Sequence, residues 1–313
     1  MTRCWRFVTC VLIAGGLAGC GSVQVQGLTQ LQDSITKFGE GAHLASTAQG
    51  DFFRAVQSAD CTHQFYARAY AWATGTANTL DISGQCTPTI LNDQQIQIRQ
   101  SMMDAITLYA DKMAALATND DDKTLDANSQ RLATNLNGLV KQGGFASLPV
   151  AAGVEAAIIG IAEMALDQRR FTDLKSAAGS MESSVRAVVA ALKQENTAFA
   201  IGIASKIDGT ELNLREVLAA TRKSREQMSF FDVVEARRIM QSVNPFSPGL
   251  VAGGVDLKSD PANVAQQLNA TLDGVVNANR AIAADGTGGI IAAVNDLIAR
   301  AKKVQTIQSA LNK

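Results

Sequence analysis

One apolar stripe constrains this chain more than any other feature. Leu28, Leu31, Ile35, Phe38, Ala42, Ala45, Phe52, Val56, Ala59, His63, Tyr66 and Tyr70 follow each other in alternating steps of three and four, with Gln49 filling one gap. That spacing is heptad-like and predicts a long helix, starting near Leu28, with one face against neighbouring helices. Ordinary helix packing accounts for the stripe, and an oligomerising coiled coil is the second reading. His63 falls on the stripe and reads as a core or interface histidine rather than a catalytic one. Gly39, Gly41 and Gly50 interrupt the helix formers, each weakening the helix by about 1 kcal/mol relative to alanine. They mark either a close approach of another helix or a bend.

The helical period recurs down the chain, and no convincing series of strands competes with it. Gly75, Asn78, Gly84 and Pro88 break the first helix. Asn92 with Gln95 forms a capping-box pattern ahead of a face of Met102, Ile106, Tyr109, Met113 and Leu116. A third helix is expected from Leu125 to Lys141, stopped by Gly143-Gly144. Residues 150–206 read as one rod of about 85 Å if continuous, with Leu174, Ala178, Met181, Val185, Val188, Leu192 and Phe199 on one face. Gly179 or Glu195-Asn196-Thr197 is a candidate kink, and Asp208-Gly209 is the expected stop, with Asp208 capping the next helix. That helix should turn Leu214, Leu218, Met228, Phe231 and Ile239 inward. Asp260-Pro261 opens another, carrying Val264, Leu268, Leu272, Val275 and Ile282. Asp285-Gly286-Thr287-Gly288-Gly289 turns into a last helix with Ile290, Val294, Ile298, Ala301 and Leu311. The composition, 47% hydrophobic but only 5% aromatic with five prolines, suits alanine-rich helices in close contact. The expected fold is all-α, an elongated multi-helix bundle with long antiparallel helices.

The N-terminus carries a different kind of signal. Arg3 and Arg6 precede an apolar run from Phe7 to Gly16, too short to span a bilayer as a mature helix, and then Leu17-Ala18-Gly19-Cys20. Leu17-Ala18-Gly19-Cys20 resembles the lipobox of bacterial lipoproteins. The resemblance covers the export signal alone. It implies that the chain is cut before Cys20 and that Cys20 carries the lipid. It also implies a location in the cell envelope. Gly21 stands where an aspartate would favour the inner membrane, which points to the outer membrane.

These readings divide the chain into a signal peptide (1–19), a lipidated tether (20–27), a main helical bundle (28–242), a loop or hinge (243–259) and a C-terminal helical hairpin packing on the bundle (260–313). Export also bears on the cysteines. Cys4 and Cys10 leave with the signal and Cys20 is lipidated, so Cys61 and Cys86 remain and are expected to pair in an oxidising compartment. The competing readings are two buried thiols, or a metal site in which Cys61-Thr62-His63 has only the distant His43 to help it.

Charge and side-chain chemistry exclude more than they identify. Removing residues 1–19 leaves 26 basic and 29 acidic residues, a net charge of −3 and no footprint for nucleic acid. Two histidines leave acid–base and zinc chemistry little to draw on, and both are expected on the apolar stripe of the first helix. Asp120, Asp122 and Thr124 begin like a calcium loop, but Leu125 and Arg131 fill the positions that require glycine and glutamate. Glu155 and Glu163 are the only carboxylates in an unusual setting, inside the apolar stretch 148–166. No enzyme activity, cofactor or metal is expected. The expected function is structural or protein-binding, with an envelope protein as partner and the membrane reached through the Cys20 lipid. The alternative is a membrane-active protein that inserts 148–166 into a bilayer, as helical pore-forming toxins do.

Overall fold

The structure is a computed structural model that describes residues 5–78, 86–118, 130, 134, 156–161, 174–223, 260–284 and 286–311, without the side chains of 5–28, 218, 220–223 and 307–311. Among the described residues the secondary structure is helical and contains no strand. Five long helices form a bundle: α1 (Trp5–Ala73), α2 (Asp93–Thr118), α3 (Leu174–Lys223), α4 (Pro261–Ala284) and α5 (Thr287–Leu311). A shorter helical stretch at 156–161 adds Ala157, Ile158 and Ile161 to the core.

Helix α1 is the centre, packing against each of the other four. Its stripe is buried as the spacing requires, with Ile35, Phe38, Ala42, Phe52 and Val56 no more than 1% exposed. Side chains this fully withdrawn from water contribute about 1.5–3 kcal/mol each for the larger ones. Gly41 marks a close approach and not a bend: a Cβ there would lie 2.7 Å from Cδ2 of Leu297 on α5. The helix also runs unbroken through residues 21–27. The expected start near Leu28 is therefore not a break in the backbone, consistent with a stretch that is polar but free of proline.

Caps set the starts of α2 and α4. Asn92 Oδ1 accepts from the Gln95 N–H at 2.9 Å, and Gln95 Oε1 accepts from the Asn92 N–H at 3.0 Å, which completes the capping box. Asp260 Oδ1 accepts from the Ala262 N–H at 3.1 Å, with Pro261 in the first turn. The inward faces of both helices are those the period indicates, with Met102, Ile106, Tyr109 and Met113 buried on α2 and Val264, Leu268, Leu272, Val275 and Ile282 on α4.

Side-chain pairs give the directions. Along α1 and α2, Gln57 meets Asp93, Ser46 meets Gln100 and Gln32 meets the Ala117 carbonyl, so the two run antiparallel. Helices α3 and α4 are also antiparallel, through Asn196 with Asn269, Lys193 with Asp273 and Glu182 with Arg280. Helices α1 and α3 run parallel, with Gln49 on Asn196, Asp60 on Lys206 and His63 on Thr210. Helix α2 starts opposite Gln57. The α3–α4 pairing, traced back from Asn269 to Pro261, brings the start of α4 level with α3 near Ser205. Past Asp60 and Lys206, then, α1 and α3 continue beyond the starts of α2 and α4 as an arm; among the described residues 86–91 brace it, and Leu214 of α3 is buried there.

Two boundaries differ from expectation. Helix α3 passes straight through Asp208-Gly209, so Asp208 caps nothing and Leu214 belongs to the same helix. No proline stops the backbone there, and tertiary contacts on both sides of Gly209 outweigh its poor propensity. Glu195-Asn196-Thr197 is not a break either; α3 is one helix there, and Glu195 and Asn196 are buried. Of the third helix expected at 125–141 only Gln130 and Thr134 are described, both helical; the loop at 243–259, Asp120 to Asp122, Asp285, Met228, Phe231 and Ile239 lie outside the described residues.

Candidate functional site

The root of the arm is a polar cluster around Asp60. This carboxylate sits on the last buried turn of α1 with its side chain 0% exposed. Oδ2 accepts from the Thr89 N–H at 2.5 Å and the Ile90 N–H at 3.0 Å, and Oδ1 accepts from Lys206 Nζ on α3 at 2.6 Å. Burial alone would raise its pKa. The Lys206 ammonium and the backbone donors outweigh that and hold Asp60 below the usual carboxylate range. One residue on, the sulfurs of Cys61 and Cys86 are within bonding distance, with Cα atoms 5.4 Å apart. Disulfide and carboxylate thus pin the same segment, 86–91, to α1.

One turn further, His63 lies against α3. Nδ1 is 3.2 Å from Thr210 Oγ1, and the Thr210 hydroxyl donates to the Lys206 carbonyl at 2.8 Å. The ring rests on Gly209, where a Cβ would come within 2.9 Å of His63 Cε1. The glycine that reads as a helix stop is the seat of a side chain. Burial lowers the His63 pKa, and the Lys206 charge adds to the effect.

Beyond this root no side chain from Cys61 to Ala73 is buried, although the stretch is rich in aromatic residues. Phe65 and Tyr70 are 36% exposed and Trp72 44%. Phe65 and Tyr66 stack edge to face at 5.3 Å, and Gln64 Nε2 donates to the Thr87 carbonyl at 2.9 Å. On α3, Ile201 and Leu212 are 69% and 59% exposed. Eleven residues, close to three turns, separate them, so they share a face. Exposed aromatic side chains of this kind are enriched where proteins meet proteins.

The bundle also holds buried polar groups that no apolar pattern announces. Arg99 Nη2 on α2 donates to Glu195 Oε1 on α3 at 2.5 Å, and its guanidinium lies 5.2 Å from the centre of the Phe199 ring. Among the described residues Arg99 Nε and Glu195 Oε2 have no hydrogen-bond partner, although together they are the second half of a side-on fork. Burial pushes the Glu195 pKa up against the pull of Arg99. Beside this pair Gln49 and Asn196 exchange amide hydrogen bonds at 2.6 and 2.9 Å, and Asn196 donates on to Asn269 at 3.0 Å. Tyr109 donates to Asn279, which donates to the Ala178 carbonyl. These contacts join α1, α2, α3 and α4.

The residues singled out in the sequence fall in different places. Cys61 and Cys86 come together at the arm root. Cys20 is on α1, among the residues without described side chains. Glu155 and Glu163 are outside the described residues, and of 148–166 only 156–161 is described. His43 is not on the apolar stripe: it is exposed, one residue past Ala42, and its Nε2 lies 3.0 Å from Asp111. That hydrogen bond raises its pKa. Asp60, Lys206, Gly209 and Thr210 carry no sequence signal for the cluster, since 146 residues separate Asp60 from Lys206. Among the described residues no group of three or more His, Cys, Asp or Glu side chains could hold a metal ion, and no helix is long and apolar enough to cross a membrane. No protein-family model, curated protein or solved structure matches the chain.

Proposed function

We propose that this chain is a lipid-anchored helical protein of the bacterial cell envelope, held at Cys20, with a structural or protein-binding role. The observation that carries the reading is Leu17-Ala18-Gly19-Cys20 behind Arg3, Arg6 and a short apolar run. The fold supports the binding role. Cys20 and Trp72 belong to one helix, 52 residues or about 78 Å apart at 1.5 Å per residue. An anchor at one end and an exposed aromatic arm at the other suit a protein that holds a partner away from a membrane. Gly21 favours the outer membrane. No catalysis and no cofactor belong to this reading, and the partner is another envelope protein.

Metabolic labelling with palmitate, followed by membrane fractionation, tests the anchor. The wild type should incorporate label and sediment with membranes, and Cys20→Ser should do neither; equal labelling of the two would refute it. Cross-linking in intact cells, with mass spectrometry of the products, tests the partner. Substituting Phe65, Tyr70 and Trp72 together by alanine should remove the cross-linked product. Leakage of dye-loaded liposomes on adding the chain without its signal and Cys20 would instead favour insertion of 148–166. Insertion would have to withdraw Ile158 and Ile161, both 0% exposed, from the bundle core.

A further inference from the structure

We infer that Asp60 is a positioning residue for the Cys61–Cys86 disulfide: its contacts hold the segment that carries Cys86 against α1 before the two thiols are oxidised. The inference rests on the pairing of these cysteines. On α1, Cys61 is flanked by two side chains that grip the segment. Asp60, one residue before it, accepts from the Thr89 and Ile90 N–H groups and from the Thr89 hydroxyl. Gln64, three residues after it, donates to the Thr87 carbonyl at 2.9 Å. Lys206 of α3 closes the cluster, donating to Asp60 at 2.6 Å and to the Thr89 hydroxyl oxygen at 3.0 Å. None of these contacts uses a sulfur atom, so the clamp forms with the cysteines as thiols.

Chain length sets the size of the effect. The cysteines are 25 positions apart along the chain. With the clamp made, the disulfide closes a ring of six residues, Asp60, Cys61 and 86–89, in which Pro88 restricts the path. The probability of closure falls as the 3/2 power of loop length. If nothing else fixed the segment, the shorter path would raise the concentration of one thiol at the other about eightfold. Leu91, 0% exposed and two residues past Thr89, is the next fixed point and retains part of that gain without the clamp. A several-fold share therefore belongs to Asp60. In oxidation by glutathione disulfide, the two thiols give up two electrons and two protons, and the glutathione disulfide breaks into two thiols. The coupling is reciprocal: the disulfide tightens the clamp by the same factor by which the clamp favours the disulfide.

Equilibration in glutathione buffers tests the positioning role. The full chain carries Cys4→Ser, Cys10→Ser and Cys20→Ser, which leaves one pair of cysteines, and alkylation with mass spectrometry reads the oxidised fraction. Asp60→Asn keeps the shape of the side chain, but its single oxygen cannot serve both the backbone amides and Lys206. It should lower the equilibrium constant for the disulfide several-fold, and Gln64→Ala should lower it less. Val294→Ala should leave it unchanged, because that core truncation on α5 lies one turn from the Leu297 that meets Gly41, about 28 Å along α1 from Asp60. In the reduced state, the Thr89 and Ile90 amides should exchange more slowly without Asp60→Asn than with it. An unchanged constant in Asp60→Asn, an equal fall in Val294→Ala, equal reduced-state exchange with and without Asp60→Asn, or no disulfide at any buffer ratio would each overturn the inference.

Discussion

Residues 34–60 and 61–73 of α1 belong to one helix and follow one apolar stripe, yet they live in different environments. In the first stretch the stripe meets α2, α3, α4 and α5, and Phe38, Phe52 and Val56 are removed from water. In the second the stripe continues through His63, Tyr66 and Tyr70, but the starts of α2 and α4 have been passed. Large side chains there remain half-exposed. Periodicity reports which face of a helix is apolar; the number and length of its neighbours decide whether that face is covered.

Substitutions that separate the two stretches should differ most in stability. Phe38→Ala or Phe52→Ala removes a fully buried ring and should cost about 3–5 kcal/mol, read from the midpoint of urea unfolding. Trp72→Ala in the arm should change the midpoint by less than about 0.5 kcal/mol. A comparable loss at Trp72 would mean that the arm is core after all.

The Arg99–Glu195 pair sits beside the covered stretch and should behave as a buried ion pair. Glu195→Ala strands a buried guanidinium and should cost about 3–5 kcal/mol, whereas replacing Arg99 and Glu195 together by methionine and leucine should be neutral or stabilising. Calorimetry of the single and double variants checks this. Equal losses in both would show that the pair adds stability in its own right. The direction of the Glu195 shift gives a second check. Its pKa is raised by folding, so its contribution declines as pH rises through the ordinary carboxylate value of 4.5 and on to the higher folded value. Asp60 has the opposite sign, its stabilisation being present above 3.8 and lost as pH falls through its lower folded value.

Next in size is the disulfide at the junction of the stretches. The cysteines are 25 residues apart, and opening a loop of that length costs about 3 kcal/mol in the chain-entropy model. Cys86→Ser should lower the unfolding midpoint accordingly and speed hydrogen exchange most in 86–91. Loss spread evenly over the bundle would argue against a local pin.

The smallest expected effects distinguish the two histidines. His43, more than half exposed beside Asp111, has a raised pKa, so its pairing is present in acid and fades as pH rises. His63 has a lowered pKa and the reverse dependence. In NMR titrations the two imidazole signals should therefore have midpoints on opposite sides of 6.5. Midpoints on the same side would remove the distinction.

Several parts of this fold are legible because their causes are local. The stripe on α1, the capping box at Asn92 and the proline start at Pro261 each depend on residues within a few positions of one another. A helix needs no distant partner to favour its period or its cap. The pairing of Cys61 with Cys86 is legible only by way of the proposed signal: if Cys4 and Cys10 leave with it and Cys20 takes the lipid, two cysteines remain.

What the tertiary structure alone decided has no local cause. Gln49 fills a gap in an apolar stripe, and only the arrival of Asn196, 147 residues away, makes it a satisfied buried amide. Gly209 and Asp208 spell a helix stop by propensity, but the His63 ring needs the missing Cβ and the helix continues. Glu195 looks like a surface residue at a kink until Arg99 buries it. Polar residues and glycines have weak, ambiguous preferences on their own, and the side chain that approaches across the bundle settles which one is used. By itself the sequence determined the helical period, the caps at Asn92 and Asp260, and the inward faces of α2, α4 and the covered part of α1. How far along that face the described helices α2 and α4 reach, and so where Phe65, Tyr70 and Trp72 come to be partly exposed, depended on the relative lengths and directions of helices far apart in the chain.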